Sequence, residues 1–382
     1  VLHEYVLHHM VREMTLAAGD RAGYVEAMRG AYGELGAALA RRAIDSGVPL
    51  DPFAWPLFEP AVDAALGVIV HSETARRRVL ASRPGARVTV VPHHVAVEPA
   101  ADRDAERSAA RRRLGLADDL FLVGTFGLQT PPKRLDVLLA AFARLAAARP
   151  EARLAVVGAV DRRVDLDRLL GGLGPAAGAV TVVGRVDDLG RFLDWMRAVD
   201  VAVNLRHPSG GETSGTVIRL LGLGKPLVVT DGGAFAEVPD GCAAKLPPDE
   251  REVDVLAAWL EALAADPELA RAMGDAARRH MAERHSLPGS AAAYAEALAA
   301  AVASPAPPAP RVPPLAPWPP DDLYTAVLTS LAADAADLGL DERDDDLLRV
   351  LAEAAVELDL DRVAATPGAA EVGRWRAGRG RR

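Results

Sequence analysis

The chain has 382 residues, half of them hydrophobic (50%), with a formal charge of −9 and a pI near 5.6. That length implies two or three domains with ample core, and the acid surplus excludes general nucleic-acid binding, which needs cations to displace counterions from phosphates. One cysteine, Cys242, excludes an internal disulfide framework and fits a reducing, cytoplasmic setting, and no apolar run reaches the length of a membrane span.

The chain opens on Val1 with no signal-peptide pattern, which reads as a piece of a longer polypeptide. His3, His8, His9 and Glu13 could suggest a metal cluster, but their spacing matches no closed zinc pattern. Short β-branched runs predict strands at 67–70, 88–91, 120–126, 153–157, 180–183, 201–205 and 227–230, with helices between most of them. Such alternation implies a parallel sheet covered on both faces, with ligands bound outside the carboxyl ends of its strands. The arginine runs Arg76 to Arg78 and Arg111 to Arg113 read as solvated helix faces. Contact with anionic lipid is the alternative, and membrane association has no other supporting feature. Between the two runs, Pro92-His-His-Val-Ala-Val-Glu-Pro99 and the charge-rich 102–113 read as a crossing between domains.

Two anion signals follow. The strand at 120–126 ends at Gly127, and the loop Leu128-Gln-Thr-Pro-Pro leads to Lys133, Arg134 and a helix marked by Leu135, Leu138, Leu139, Phe142 and Leu145. Two cations in a first helical turn oppose the macrodipole by a few tenths of a kcal/mol each, so something else must favour them unless they are a plain solvated pair. At 210–226 a glycine-bearing loop runs into an amphipathic helix that stops at Gly224 and Pro226, ahead of the strand at 227–230. The unpaired N–H groups near Ser214 to Thr216 suit a phosphate. Gly215 strengthens that reading, because glycine in a first turn costs about 0.5–1 kcal/mol relative to alanine unless a ligand or backbone must approach closely.

The stretch Gly127-x5-Lys133-Arg134-Leu-Asp-Val-Leu-Leu, the run Val182-Val-Gly-Arg-Val186, the loop Gly-Glu212-Thr-Ser-Gly and the strand Gly-Lys-Pro-Leu-Val-Val-Thr-Asp resemble the donor half of retaining GT-B glycosyltransferases of family 4. The likeness covers about 1–303 and is strongest over 118–240. It implies an α/β fold of GT-B type: two Rossmann-like parallel-sheet domains, the first incomplete, plus a small C-terminal helical extension. The expected boundaries are 1–95 for the partial acceptor-side domain, 96–285 for the donor domain and 286–303 for a helix packing back on the first. Beyond them, 304–320 holds nine prolines and reads as a semi-rigid linker, 321–365 as a small helical module and 366–382 as a disordered basic tail.

The resemblance also assigns roles. Lys133 would bind the diphosphate of a nucleotide sugar and stabilise it as it leaves. Glu212 would hold hydroxyls of the donor sugar, although a glutamate ahead of a helix needs no ligand to explain it. Thr213, Ser214, Gly215 and Thr216 would offer amides and hydroxyls to the diphosphate, with ordinary capping as the alternative for the hydroxyls. Gly127 and Arg134 would belong to the same subsite, and the turn carrying Arg185 and Val186 would meet the base unless it is a plain β-turn. His3, at the end of an expected acceptor-side strand, would face the donor sugar. Two departures stand out. Leu128 replaces an arginine common in the family, and the second acid of the E-x7-E motif, which would grip the ribose, is Leu220 or Arg219 by position.

The function implied is retaining transfer of a sugar from a nucleoside-diphosphate sugar to an acceptor hydroxyl, with no metal or other cofactor and with the acceptor (glycan, lipid or small molecule) left open. The alternatives are a donor-fold binding module that has lost turnover, which the two departures favour, and a sugar-phosphate epimerase on the same two-domain fold.

Overall fold

A computed structural model describes residues 1–97 and 102–303. The expected linker, helical module and tail lie outside the described residues. Of the described chain, 1–6 and 61–303 form one compact unit and 7–60 another, so the expected 1–95 domain is divided. The reason is compositional. No strand forms before Val68, and 7–60 fold instead as helices His8–Met14 and Arg21–Ser46 around a core of their own.

In that helical unit Tyr24, Met28 and Ala40 are buried, and Tyr32 meets Trp55 edge-on with ring centroids 5.0 Å apart. His8 is fully buried, with Nε2 2.8 Å from the Tyr24 hydroxyl and Nδ1 on the Trp55 carbonyl. Both ring nitrogens are therefore committed, and the suggested cluster of His3, His8, His9 and Glu13 does not form. Among the described residues no group of three His, Cys, Asp or Glu side chains could hold a metal.

The larger unit carries two parallel sheets. β1 (Val68–Val70) pairs with β2 (Val88–Val90) through a crossover that contains helix Glu73–Ser82. The second sheet has six strands: β3 (Phe121–Phe126), β4 (Ala152–Val157), β5 (Val180–Gly184), β6 (Val201–Asn204), β7 (Leu227–Thr230) and β8 (Ala244–Leu246). Their order is β5-β4-β3-β6-β7-β8 and every pairing is parallel. Strand order therefore reverses between β3 and β6, and the crevice outside their carboxyl ends is where such sheets bind ligands. Apolar layers cover both faces, with Phe126, Trp195 and Leu220 on one and Phe142, Leu154 and Leu260 on the other. Helix Leu287–Val302 returns to the first sheet, where Ser290 Oγ donates to the Pro92 carbonyl at 2.7 Å and Tyr294 stands 6.5 Å from the His71 ring.

Arg111 corrects the reading of its run as a solvated or lipid-facing surface. It is 1% exposed, donates to the carbonyls of Ala198, Asp118 and Leu120, and pairs with Asp200 at 2.6 Å. The Asp118 and Leu120 carbonyls lie just ahead of β3 and Asp200 just ahead of β6, so the side chain ties those two loops together. Arg113 reaches Asp194 instead, at 2.6 Å. Among the described residues no helix is long and apolar enough to cross a membrane.

A carboxylate joins the two sheets. Glu237, after β7, accepts the Glu73 and Thr74 amides at 2.9 and 2.6 Å and so caps helix Glu73–Ser82. Glu237→Ala is expected to cost about 1 kcal/mol in a denaturant titration, the usual value of a lost cap. No change would mean that Ser72, which also caps this helix, suffices.

Candidate functional site

The site lies at the strand-order reversal, and Gly127 marks its floor. A carbon built on Gly127 would stand 3.0 Å from Lys133 Nζ and 3.7 Å from Thr216 Cγ2, so the two anion signals meet over one glycine. A second glycine packs beneath it: Gly158, with φ 142°, lies so close that a Cβ there would come 2.2 Å from the Gly127 carbonyl oxygen. Gln129, fully buried, donates to that oxygen at 2.8 Å.

Lys133 is not on the helix that follows it. Pro131 and Pro132 set a separate 3-10 turn, Pro131–Lys133, Arg134 takes a left-handed φ of 50°, and the helix starts at Leu135 with Asp136 in its first turn. The expected conflict between two cations and the helix dipole is thereby relieved. The Lys133 ammonium, 8% exposed, donates to the Phe126 carbonyl at 2.5 Å. Burial, helped by the Arg206 guanidinium and opposed by Glu212, lowers its pKa to about 7. Arg134 points elsewhere, into a 2.6 Å ion pair with the buried Glu252.

Glu212 sits across from Lys133 on the loop after β6. Arg206 Nη1 lies 2.7 Å from one carboxylate oxygen and Ser209 Oγ donates to the other at 3.2 Å. Helix Gly215–Gly222 then begins under Ser214, whose hydroxyl takes the Val217 amide. Ser214 Oγ and Thr216 Oγ1 are 2.8 Å apart, Asn204 Nδ2 donates to Thr216 Oγ1 at 3.0 Å, and Thr213 Oγ1 reaches the His71 carbonyl at 3.5 Å. The hydroxyls thus serve the fold, while the Gly215 and Thr216 amides belong to the first turn, where no helical acceptor exists. A carbon on Gly215 would meet only the end of the Arg219 side chain, at 3.2 Å, so nothing in the chain's own packing requires glycine there.

The remaining expected residues are more dispersed. Arg185 is exposed and paired with Asp187 at 2.6 Å, and Val186 packs on the core. His3 is not in a strand; the N-terminal segment meets β1 where the Leu2 amide donates to the Ile69 carbonyl at 2.8 Å. Its ring lies 5.0 Å from that of His71, whose carbonyl receives Thr213. Leu128 is 52% exposed beside the glycine floor. Leu220 is fully buried in the core, whereas Arg219 donates to the Gly215 carbonyl and lines a cleft of about 410 Å³ with Ile218, Gly222, Leu193 and Arg197. Arg206, Ser209 and Asn204 were not evident from sequence. Arg206 alone carried a signal, as the first charged residue beyond a buried strand end.

Comparison with known proteins gives a consistent likeness. Residues 117–266 match the sequence model of the family described as "Glycosyl transferases group 1". The chain is 30% identical over 261 residues to a D-inositol 3-phosphate glycosyltransferase of Kribbella flavida, covering 62% of this chain and 57% of that one. It is 33% identical over 227 residues to the protein of that name from Stackebrandtia nassauensis, covering 56% and 49%. The chain thus spans about half the length of the curated relatives it matches. Among solved structures, Anabaena HepE in complex with UDP superposes with a TM-score of 0.55 at 19% identity, over 74% of this chain and 83% of that one. This likeness identifies the fold as GT-B.

Proposed function

Because residues 117–266 match the glycosyl transferases of group 1, we propose that the chain moves a sugar from a nucleoside-diphosphate sugar to an acceptor hydroxyl with retention at the anomeric carbon. The observation that carries this reading is the convergence of the Lys133 ammonium and the Thr216 helix start on Gly127. A diphosphate laid there meets a cation on one side and first-turn amides on the other.

In the reaction the bond from the anomeric carbon to the diphosphate oxygen breaks while a bond to the acceptor oxygen forms on the same face. The acceptor proton passes to the departing diphosphate. Lys133 and the Gly215 and Thr216 amides stabilise the charge that builds on the leaving oxygen. Glu212, held by Arg206 and Ser209, orients the sugar. The reading needs no protein nucleophile and no metal, since the charge is met by the ammonium and the amides. The nucleoside would extend along helix Gly215–Gly222, with Arg219 in place of a ribose-binding acid. That replacement favours the second reading, a module that binds the nucleotide sugar and does not turn it over.

Incubation with UDP-, GDP- and TDP-sugars, alone and with candidate acceptors, tests both. Release of nucleoside diphosphate is expected, with the transferred sugar keeping its anomeric configuration. Saturable binding without release would establish the second reading, and the absence of binding to any donor would end both.

A further inference from the structure

The loop that carries Glu212 contains the pair Gly210-Gly211, the most flexible dipeptide a chain can place beside a functional carboxylate. Within the loop, the side-chain bulk near these glycines is the end of Glu212, 3.4 Å from a carbon built on Gly210. The restraint comes from the N-terminal segment, more than 200 residues away in sequence. Gly211 adopts φ 80°, and a carbon built on it would lie 2.2 Å from Tyr5 Cε1, so the aromatic ring rests directly on the backbone. The Tyr5 amide donates to the Gly210 carbonyl at 2.8 Å, and its hydroxyl donates to the Ser209 carbonyl at 3.3 Å. Val6, 4% exposed, closes over Gly210 at 3.3 Å from the position a Cβ would take.

This grip reaches the carboxylate. Ser209 Oγ accepts the Gly211 amide at 3.1 Å and donates to Glu212 Oε2 at 3.2 Å, so the turn that Tyr5 flattens also presents the hydroxyl that orients Glu212. The Arg78 guanidinium lies 5.9 Å from the centre of the Tyr5 ring. Burial raises the pKa of the phenol, which keeps it a donor.

We propose that Tyr5 is a positioning residue that fixes the 209–212 loop and thereby aims Glu212 at the donor sugar, an inference that rests on the sugar-binding reading of Glu212. The ring supplies from outside the rigidity that two adjacent glycines cannot supply, while the glycines leave room for the ring. The diphosphate subsite at Lys133 and the Thr216 helix start does not depend on it.

Tyr5→Ala and Tyr5→Phe test this. For Tyr5→Ala, amide hydrogen exchange over 209–213 is expected to quicken about tenfold with global unfolding unchanged. The variant should bind the tightest of UDP, GDP and TDP to within about twofold of wild type. The extra affinity conferred by the matching nucleotide sugar, and its turnover, should fall about tenfold. Tyr5→Phe keeps the ring on Gly211 and should stay within about threefold of wild type in all three. Unchanged exchange at 209–213 would overturn the proposal, as would equal loss of diphosphate and sugar affinity, which marks a merely structural role. If wild type binds no nucleotide at all, the sugar-transfer reading fails, and the exchange measurement still decides whether Tyr5 holds the loop.

Discussion

Lys133→Met is expected to lower nucleotide-sugar turnover on the order of a hundredfold, as removal of one preorganised donor to a developing anion does elsewhere. Methionine keeps most of the aliphatic bulk, so the loss reports on the ammonium. A pH signature accompanies it. The free ammonium has a pKa of about 7, lowered from 10.5 chiefly by burial, and a diphosphate beside it favours the charged form and raises that value. Affinity for a nucleoside diphosphate should therefore be complete below pH 7 and fall by up to about tenfold per unit above it, as binding must carry a proton to the lysine. Between pH 7 and 9 the terminal phosphate itself is ionised, with a pKa near 6, so the trend belongs to the protein. The variant should show a flat profile. Wild-type turnover in Lys133→Met, or a flat profile in the wild type, would remove this lysine from the site. In the ligand-free chain the same shift makes stability rise from pH 7 toward 10.5, because the unfolded lysine keeps a proton that the folded one has released.

Arg111→Ala is expected to destabilise the chain by about 3–5 kcal/mol, the range for breaking a buried ion pair from one side. The substitution leaves three carbonyls without their donor and removes one partner from Asp200. Asp200 does not lose everything, since the Leu122 amide and Arg107 still reach it at 2.7 and 2.9 Å. A denaturant titration reads the effect directly. A loss below about 1 kcal/mol would mean that water replaces the guanidinium, and that the side chain is not the tie between β3 and β6 that its bonds describe.

Most strands of the six-stranded sheet were legible because they carry short runs of Val, Leu and Ala between turn residues, the pattern of a buried parallel strand. β8 was not, because Ala244-Lys-Leu246 is short, interrupted by a lysine and followed by two prolines. The long helix Arg21–Ser46 escaped notice because alanine, glycine and arginine make up much of it and its apolar stripe is weak. At the site, Lys133 and the helix start could be read because each combines a charge or an orphan amide group with glycine at a strand end. The role of Arg134 was read less well, since its partner Glu252 lies more than a hundred residues on and no spacing rule connects them. Arg111 was hidden by its neighbours: one arginine of three turns inward, and a charge run does not say which. Tyr5 and Ser209 act on Glu212 through main-chain shape, which leaves no pattern in one sequence.

The contact between Gly158 and Gly127 reaches further than either residue's chemistry. Position 158 carries no group that could touch a ligand, yet any side chain there would have to displace the Gly127 carbonyl, and with it the ledge against which the Lys133 amine rests. A saturation scan scored on donor turnover should accordingly show a silent position behaving like a catalytic one, intolerant even of alanine. Drift in related sequences would then be tolerated at Leu128, which faces water, sooner than at a glycine that faces only backbone.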